Sequence, residues 1–242
     1  MPSDSVVLWQ MPPAWGLPNP SPFCMKVETW LRMAGIPYEA KAIQGPPKSG
    51  TGKVPYIERP GGTLLSDSSV IIDTLARERG VTLDAGVTAE ERALSLVLQR
   101  TLEESLYFCV LYERWVDDAG WAMTEPAYFE TIPWFVRRAI VPIVRRKVIS
   151  ASKAQGLSRL PKSEIHARGV ADVNAVAGLL GDKPFFLGRP STIDATAYAF
   201  IENLLVPPLP SPVSDAARKQ PNLVRVAEQM KQDYWQGWVP PA

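Results

Sequence analysis

The sequence predicts an α/β domain followed by an all-helical domain, and three observations carry that reading. Over the first eighty residues short strand and helix signals alternate. After Gly80 the strand signals stop, and from Ala89 to about Ala119 the residues Leu94, Leu98, Leu102, Leu106 and Val110 recur at near-fourfold spacing with charges between them. A chain of 242 residues also has room for two modest domains, here 1–80 and 89–242 with a short linker near 81–88.

Composition narrows the functional classes. Hydrophobic residues at 46% against 21% charged supply a core and argue against long disorder. Lys and Arg number 26 against 25 Asp and Glu, so no global field draws the protein to nucleic acid. Cys24 and Cys109 are the only cysteines, too few for a disulfide framework, which points to a reducing cytoplasm. His166 is the only histidine, so the usual zinc spacings are absent and a Ser-His-Asp hydrolase would rest on that residue alone. The opening MPSDSVVLWQ lacks the basic flank and long apolar run of a signal peptide. No stretch reaches the roughly 18 to 20 apolar residues of a membrane span.

Val6, Val7, Leu8 and Trp9 make a short buried strand that runs into the proline-rich MPPAWGLPNP. A helix follows with Ser21 as N-cap and Pro22 at its first position. Phe23, Val27, Trp30, Leu31 and Ala34 recur at helical spacing and would face a sheet, before Gly35 and Pro37 stop the helix. YEAKAI alternates as a strand, VPYIE makes another, Arg59-Pro60-Gly61-Gly62 turns the chain, TLLS returns, and Asp67 starts a helix with Val70, Ile71, Leu75 and Ala76. That is the element order of a thioredoxin-like domain. Further helices are expected over 133–150, 163–181, 191–205 and 222–234, with Ser191 and Asp194 as a capping box and the tail VPPA as a frayed end.

Several motifs bear on chemistry. Ser21 sits where unpaired N–H groups and the positive end of a helix dipole favour an anion or a thiolate, although an N-cap needs no ligand to explain it. Cys24 holds the second position of a C-x-x-C spacing whose first member is missing, so it is either a packed core residue or a thiol able to form a mixed disulfide with a small thiol. Val54-Pro55 precedes a strand, and a cis bond there would present backbone groups to an extended peptide-like ligand added at an edge; a trans proline closing a loop is the plainer alternative. Asp67 and Ser68 open a helix whose N–H groups attract a carboxylate, or simply cap it. SGTGKV lacks the spacing of a phosphate loop. WFVRRAIVPIVRRKV, residues 134–148, reads as the solvated face of a bundle helix, a surface for anionic membranes, or a cationic border of the site.

Together these stretches resemble the glutathione transferase superfamily over almost the whole chain. Ser21-Pro22-Phe23 resembles the serine motif of tau-class transferases, Lys53-Val54-Pro55 the segment that meets the cysteinyl part and glycyl carboxylate of glutathione, and Asp67-Ser68 the pair that holds the γ-glutamyl end. SPFCMKVETWLRMAGIPYE and SDSSVIIDTLARERG look like the branch that contains the failed axon connections proteins and metaxins. The loop MPPAWGLPNP is longer than is usual in transferases, so Trp15 or Asn19 would border or block the sulfur site.

The resemblance implies a glutathione-dependent transferase acting on a small electrophile, with glutathione as cosubstrate and no metal. Ser21 is its catalytic residue, and Ser21, Phe23, Lys53, Val54, Pro55, Asp67 and Ser68 are its glutathione-binding residues. The family also implies a homodimer. Two other readings stand beside it: an adaptor that keeps the fold without turnover, and a thiol transferase working through Cys24.

Overall fold

The computed structural model describes residues 5–130 and 132–239. Strand β1 (Val6–Gln10) pairs parallel with β2 (Tyr38–Ala42), a pairing that needs a crossover, and α1 (Pro22–Met33) supplies it. β3 (Tyr56–Glu58) runs antiparallel to β1 and joins β4 (Leu64–Ser66) through a turn in which the Arg59 N–H donates to the Thr63 carbonyl and Gly61 and Gly62 take positive φ. The sheet order is β2-β1-β3-β4. α2 (Ser68–Arg79) ends at Gly80 in the left-handed conformation, and its Ile71, Ile72 and Leu75 share one core with Val6, Leu8, Trp30 and Leu31.

Two expectations about this half change. Val27, Trp30 and Leu31 face the sheet, but Phe23 turns the other way, its ring meeting Tyr107 at 4.9 Å and Phe200 at 5.6 Å in the helical half. One turn of separation along α1 lets its first residues leave the sheet and meet a different core. β3 is an interior strand, with β1 on one side and β4 on the other, so no ligand strand can add along it.

α3 (Ala89–Arg100) starts in a capping box between Thr88 and Glu91 and continues through a π-helical turn (Thr101–Leu106), α4 (Tyr107–Leu111) and a second π-helical turn (Tyr112–Val116). The π turns account for the near-fourfold leucine spacing. On an α-helix of about 3.6 residues per turn such a series drifts around the axis, whereas inserted i→i+5 turns widen the average repeat and keep Leu98, Leu102, Leu106 and Val110 all buried. The helix expected to reach Ala119 stops at Asp117, whose ψ of 128° is extended.

α5 (Asp118–Phe129) follows at once and was not legible in the sequence. A Cβ at Gly120 would lie 1.8 Å from the Glu113 carbonyl oxygen, so the bare glycine is what lets α5 cross the second π turn. α6 (Trp134–Gln155), α7 (Lys162–Leu180), α8 (Thr192–Leu205) and α10 (Pro221–Tyr234) take the expected places, α6 running beyond residue 150. α9 (Pro212–Arg218) is a short addition capped by Ser211. The frayed tail falls, from Pro240 onward, outside the described residues.

α8 is the axis of the helical half, buried from Ile193 to Leu204. Its start is fixed by Asp194, which accepts from the Ser191 N–H at 2.9 Å, the Ser191 hydroxyl at 2.6 Å and the Phe186 N–H at 2.8 Å. α6 turns Val141 inward but leaves Trp134, Phe135 and Ile143 more than half exposed beside its arginines, so its outer face is mixed rather than purely charged. Among the described residues no helix is long and apolar enough to cross a membrane.

Glu113 is the buried carboxyl of the second π turn, bonded by the Ser211 hydroxyl and 3.6 Å from His166. Burial pushes it up from 4.5 to about 7. Since the folded state then holds this proton more tightly than the unfolded chain, the associated stability is full below about pH 4.5 and is lost as pH rises through 7. Urea titrations should therefore show wild type losing up to a few kcal/mol between pH 5 and 8 relative to Glu113→Gln. Parallel pH profiles for the two proteins would contradict this.

Candidate functional site

The strand register gathers the segments singled out in the sequence at one end of the sheet. β1 leaves at Gln10 into the loop that reaches Ser21. Tyr56 lies opposite Trp9, so Val54 and Pro55 enter β3 at that end; Tyr56 also pairs with Ser66, so Asp67 and Ser68 leave β4 there. Ser21, Val54-Pro55 and Asp67-Ser68 therefore border one rim, with the N-termini of α1 and α2 both opening onto it.

Ser21 has extended backbone, is half-buried, and accepts from the Cys24 N–H through Oγ at 3.5 Å. The loop before it is stapled by buried Asn19, whose amide donates to the Met11 carbonyl at 2.7 Å and accepts from the Ser21 N–H at 3.0 Å. Asn19 thus holds Ser21 and does not block it. Trp15 and Gly16 turn the loop at φ of 55° and 78°. The Trp15 ring meets Tyr128 edge-on at 5.5 Å and lies 5.1 Å from the Arg114 guanidinium. Tyr128 continues to Trp115 at 5.6 Å, which makes an aromatic wall beside the loop.

Arg114, only 3% exposed, reaches across from the second π turn and donates to the Pro20 carbonyl at 2.7 Å, the Asn203 carbonyl at 2.7 Å and Asn203 Oδ1 at 3.1 Å. The peptide unit that delivers Ser21 is therefore fixed by the helical half of the molecule. Such charged hydrogen bonds contribute about 1.5 to 3 kcal/mol each.

The Val54–Pro55 bond is cis. Just before it the Ser49 hydroxyl donates to the Lys53 carbonyl at 2.7 Å and accepts from the Lys53 N–H at 3.1 Å, while the Lys53 side chain is exposed. Asp67, at φ 78°, caps α2 by accepting from Ser69 and Val70 N–H at 3.0 and 3.1 Å, both through Oδ1. Ser68 is 6% exposed and lies against a buried ion pair, Lys26 to Glu103 at 2.6 Å, which also engages Ser69 and Gln99. Removing one partner of such a pair typically costs about 3 to 5 kcal/mol.

The sequence reading missed Lys26, Gln99, Glu103, Arg114 and Asn203. Lys26 did leave a signal: it lies between Met25 and Val27 on a helix whose neighbouring positions are all apolar or buried, where a charge demands a partner. Phe23, expected at the site, commits its ring to Tyr107 and Phe200 and offers the rim only its first-turn backbone.

Cys24 is fully buried, and burial pushes its thiol up to about 12, with hydrogen bonds from Ser21 and Met11 opposing only part of that rise. A thiol held protonated and out of solvent is a poor partner for exchange. Cys109 is likewise fully buried and pushed up to about 12.

A thioredoxin-like sheet domain joined to a helical bundle, with a polar rim between them, is the architecture of glutathione transferases. Residues 22–120 match the glutathione S-transferase N-terminal domain and residues 169–230 the glutathione S-transferase C-terminal domain. The chain is 33% identical to the isoprene-epoxide glutathione S-transferase of Rhodococcus sp. (strain AD45), covering 92% of this chain and 96% of that one. It is 32% identical to failed axon connections of Drosophila melanogaster over 97% of this chain, and spans 59% of the fly protein's length. The fold matches a glutathione S-transferase of Ceriporiopsis subvermispora, solved in complex with glutathione, with a TM-score of 0.66 at 18% identity, covering 98% and 99% of the two chains. The chain belongs to the glutathione S-transferase family.

The burial of both thiols has a direct readout. An aromatic disulfide reagent added to native protein at pH 8 should release less than about a tenth of the thiol released after denaturation. Rapid modification of Cys24 in the native state would contradict the packing described here.

Proposed function

We propose that the protein is a glutathione transferase that binds reduced glutathione along the rim and activates its thiol for attack on a small electrophile. The observation that carries this reading is the convergence of the open N-terminus of α1, with Ser21, on the cis Val54–Pro55 segment and the start of α2. Family membership agrees with it. The tripeptide lies past the end of β3, with the Val54 backbone against its cysteinyl unit, Lys53 near its glycyl carboxylate, and Asp67 and Ser68 at its γ-glutamyl end. The Ser21 hydroxyl and the first-turn amide of Phe23 stabilise the thiolate in a tau-class-like arrangement. Each unit by which the thiol pKa falls corresponds to about 1.4 kcal/mol of preference for the nucleophile.

Ser21 is not itself the nucleophile. The glutathione sulfur forms the new bond to carbon, and the leaving group, or the oxygen of an opened epoxide, departs with the electron pair and takes up a proton from solvent. Trp15, Tyr128 and Trp115 offer an apolar wall for the electrophile. Epoxides are the first electrophiles to test because the Rhodococcus relative is named for one. The exposed Val70, Leu96 and Val97 suit a homodimer, and the absence of a disulfide framework suits the cytoplasm.

A second reading, a glutathione-transferase-fold adaptor without turnover, is favoured by the likeness to the fly protein. Calorimetric titration with reduced glutathione separates binding from its absence, and Asp67→Asn, which keeps the α2 cap but removes the charge, should weaken binding about tenfold. With an epoxide as second substrate, Ser21→Ala should lower kcat/KM by about a hundredfold while leaving the glutathione Kd within about threefold. No heat up to millimolar glutathione would end the transferase reading; binding with no turnover by wild type would favour the adaptor.

A further inference from the structure

The start of α2 is wired by a cluster that determines the hydrogen-bond polarity of Ser69. The Lys26 ammonium, 2% exposed, contacts Glu103 Oε1 at 2.6 Å, Ser69 Oγ at 3.0 Å and Ser68 Oγ at 3.4 Å. An ammonium has three donors and no acceptor, so both serine oxygens receive from it. Gln99 Nε2 lies 2.9 Å from Glu103 Oε2 and 2.9 Å from Ser69 Oγ. A carboxylate accepts only, so the amide group facing Glu103 is the NH2, and it donates to Ser69 as well. Ser69 Oγ therefore has both lone pairs filled, and its own proton must be given elsewhere. Ser68 Oγ receives one bond, from Lys26, so its proton turns away from the ammonium and one lone pair stays open.

We infer that Lys26 is a positioning residue that, supported by Glu103 and Gln99, holds the Ser68 and Ser69 hydroxyls as hydrogen-bond donors toward a ligand carboxylate at the start of α2. Resting on the glutathione reading, this assigns the two charged groups of the γ-glutamyl end. The α-carboxylate goes to the serines, whose protons face it. The α-ammonium, itself a donor, finds no lone pair at Ser69 and like charge on Lys26 behind Ser68, so it goes to Asp67, whose cap bonds both use Oδ1 and leave Oδ2 for it. A free serine hydroxyl could rotate to donate or to accept; at Ser69 the buried ammonium and Gln99 together remove that freedom.

The test compares reduced glutathione with 4-aminobutyryl-cysteinylglycine, the same molecule lacking the α-carboxylate, by calorimetry on full-length protein. Lys26→Met/Glu103→Gln removes both charges together, so no buried carboxylate is left unpaired. Wild type should prefer glutathione, and the double variant should lose about tenfold of that preference through weaker glutathione binding while its affinity for the analogue stays within about twofold. Ser69→Ala leaves the ion pair intact and should lose about fivefold, which keeps the test decisive if the double variant fails to fold. An unchanged preference in Ser69→Ala, or equal weakening of both ligands in the double variant, overturns the inference and leaves Lys26 a structural residue. Failure of wild type to bind glutathione at all overturns the glutathione reading, and this assignment with it.

Discussion

Everything at the rim depends on the near-complete burial of α1. From Cys24 to Leu31 each residue of this helix is buried, Lys26, Glu28 and Thr29 included. A charge taken out of water needs a partner, and here each finds one in a different part of the molecule. Glu28 accepts from Gln10 on β1 and from Tyr38 on β2, which ties α1 to the sheet. Lys26 reaches Glu103, which ties it to the helical half. With both sides of the helix committed, the position of its N-terminus follows, and Ser21 is set by packing far from itself.

The two π turns give this coupling its geometry. One carries Glu103 and the other Arg114, and these are the charged side chains that cross from the long helix to α1 and to the peptide unit before Ser21. An uninterrupted α-helix would rotate successive residues by a fixed step and could not keep the leucine stripe on the bundle core while aiming both charges at α1 and the loop before it. The widened turns satisfy both demands. The site is thus assembled by two halves that recognise each other through a few buried polar contacts laid over apolar packing.

The parts of this arrangement that were legible in the sequence are those with local causes. Ser21 and Pro22 announce a helix start, Gly80 a helix end, Ser191 and Asp194 a capping box, and alternation in YEAKAI a strand, because each signal needs only its near neighbours. Phe23 was misplaced because periodicity gives the face of a helix but not which of two cores that face meets at each turn. The interior position of β3 depends on pairing order, which VPYIE does not encode by itself. α5 escaped because Gly120 and Pro126 disguise it, and the Lys26–Glu103 pair because its members lie 77 residues apart. Of the candidate site, the rim residues were readable and the groups that orient them were not.

Gly120 constrains more than the local crossing. Its missing side chain is replaced by the carbonyl oxygen of Glu113, and even one methyl group would have to occupy that atom's place. Every codon change that alters this residue therefore pushes α5 off the long helix, and with it Tyr128, whose hydroxyl bonds the carbonyl before Ser21. A related chain with any other residue there must cross these two helices along another path, and would leave the carbonyl before its counterpart of Ser21 without the Tyr128 bond that here backs Arg114.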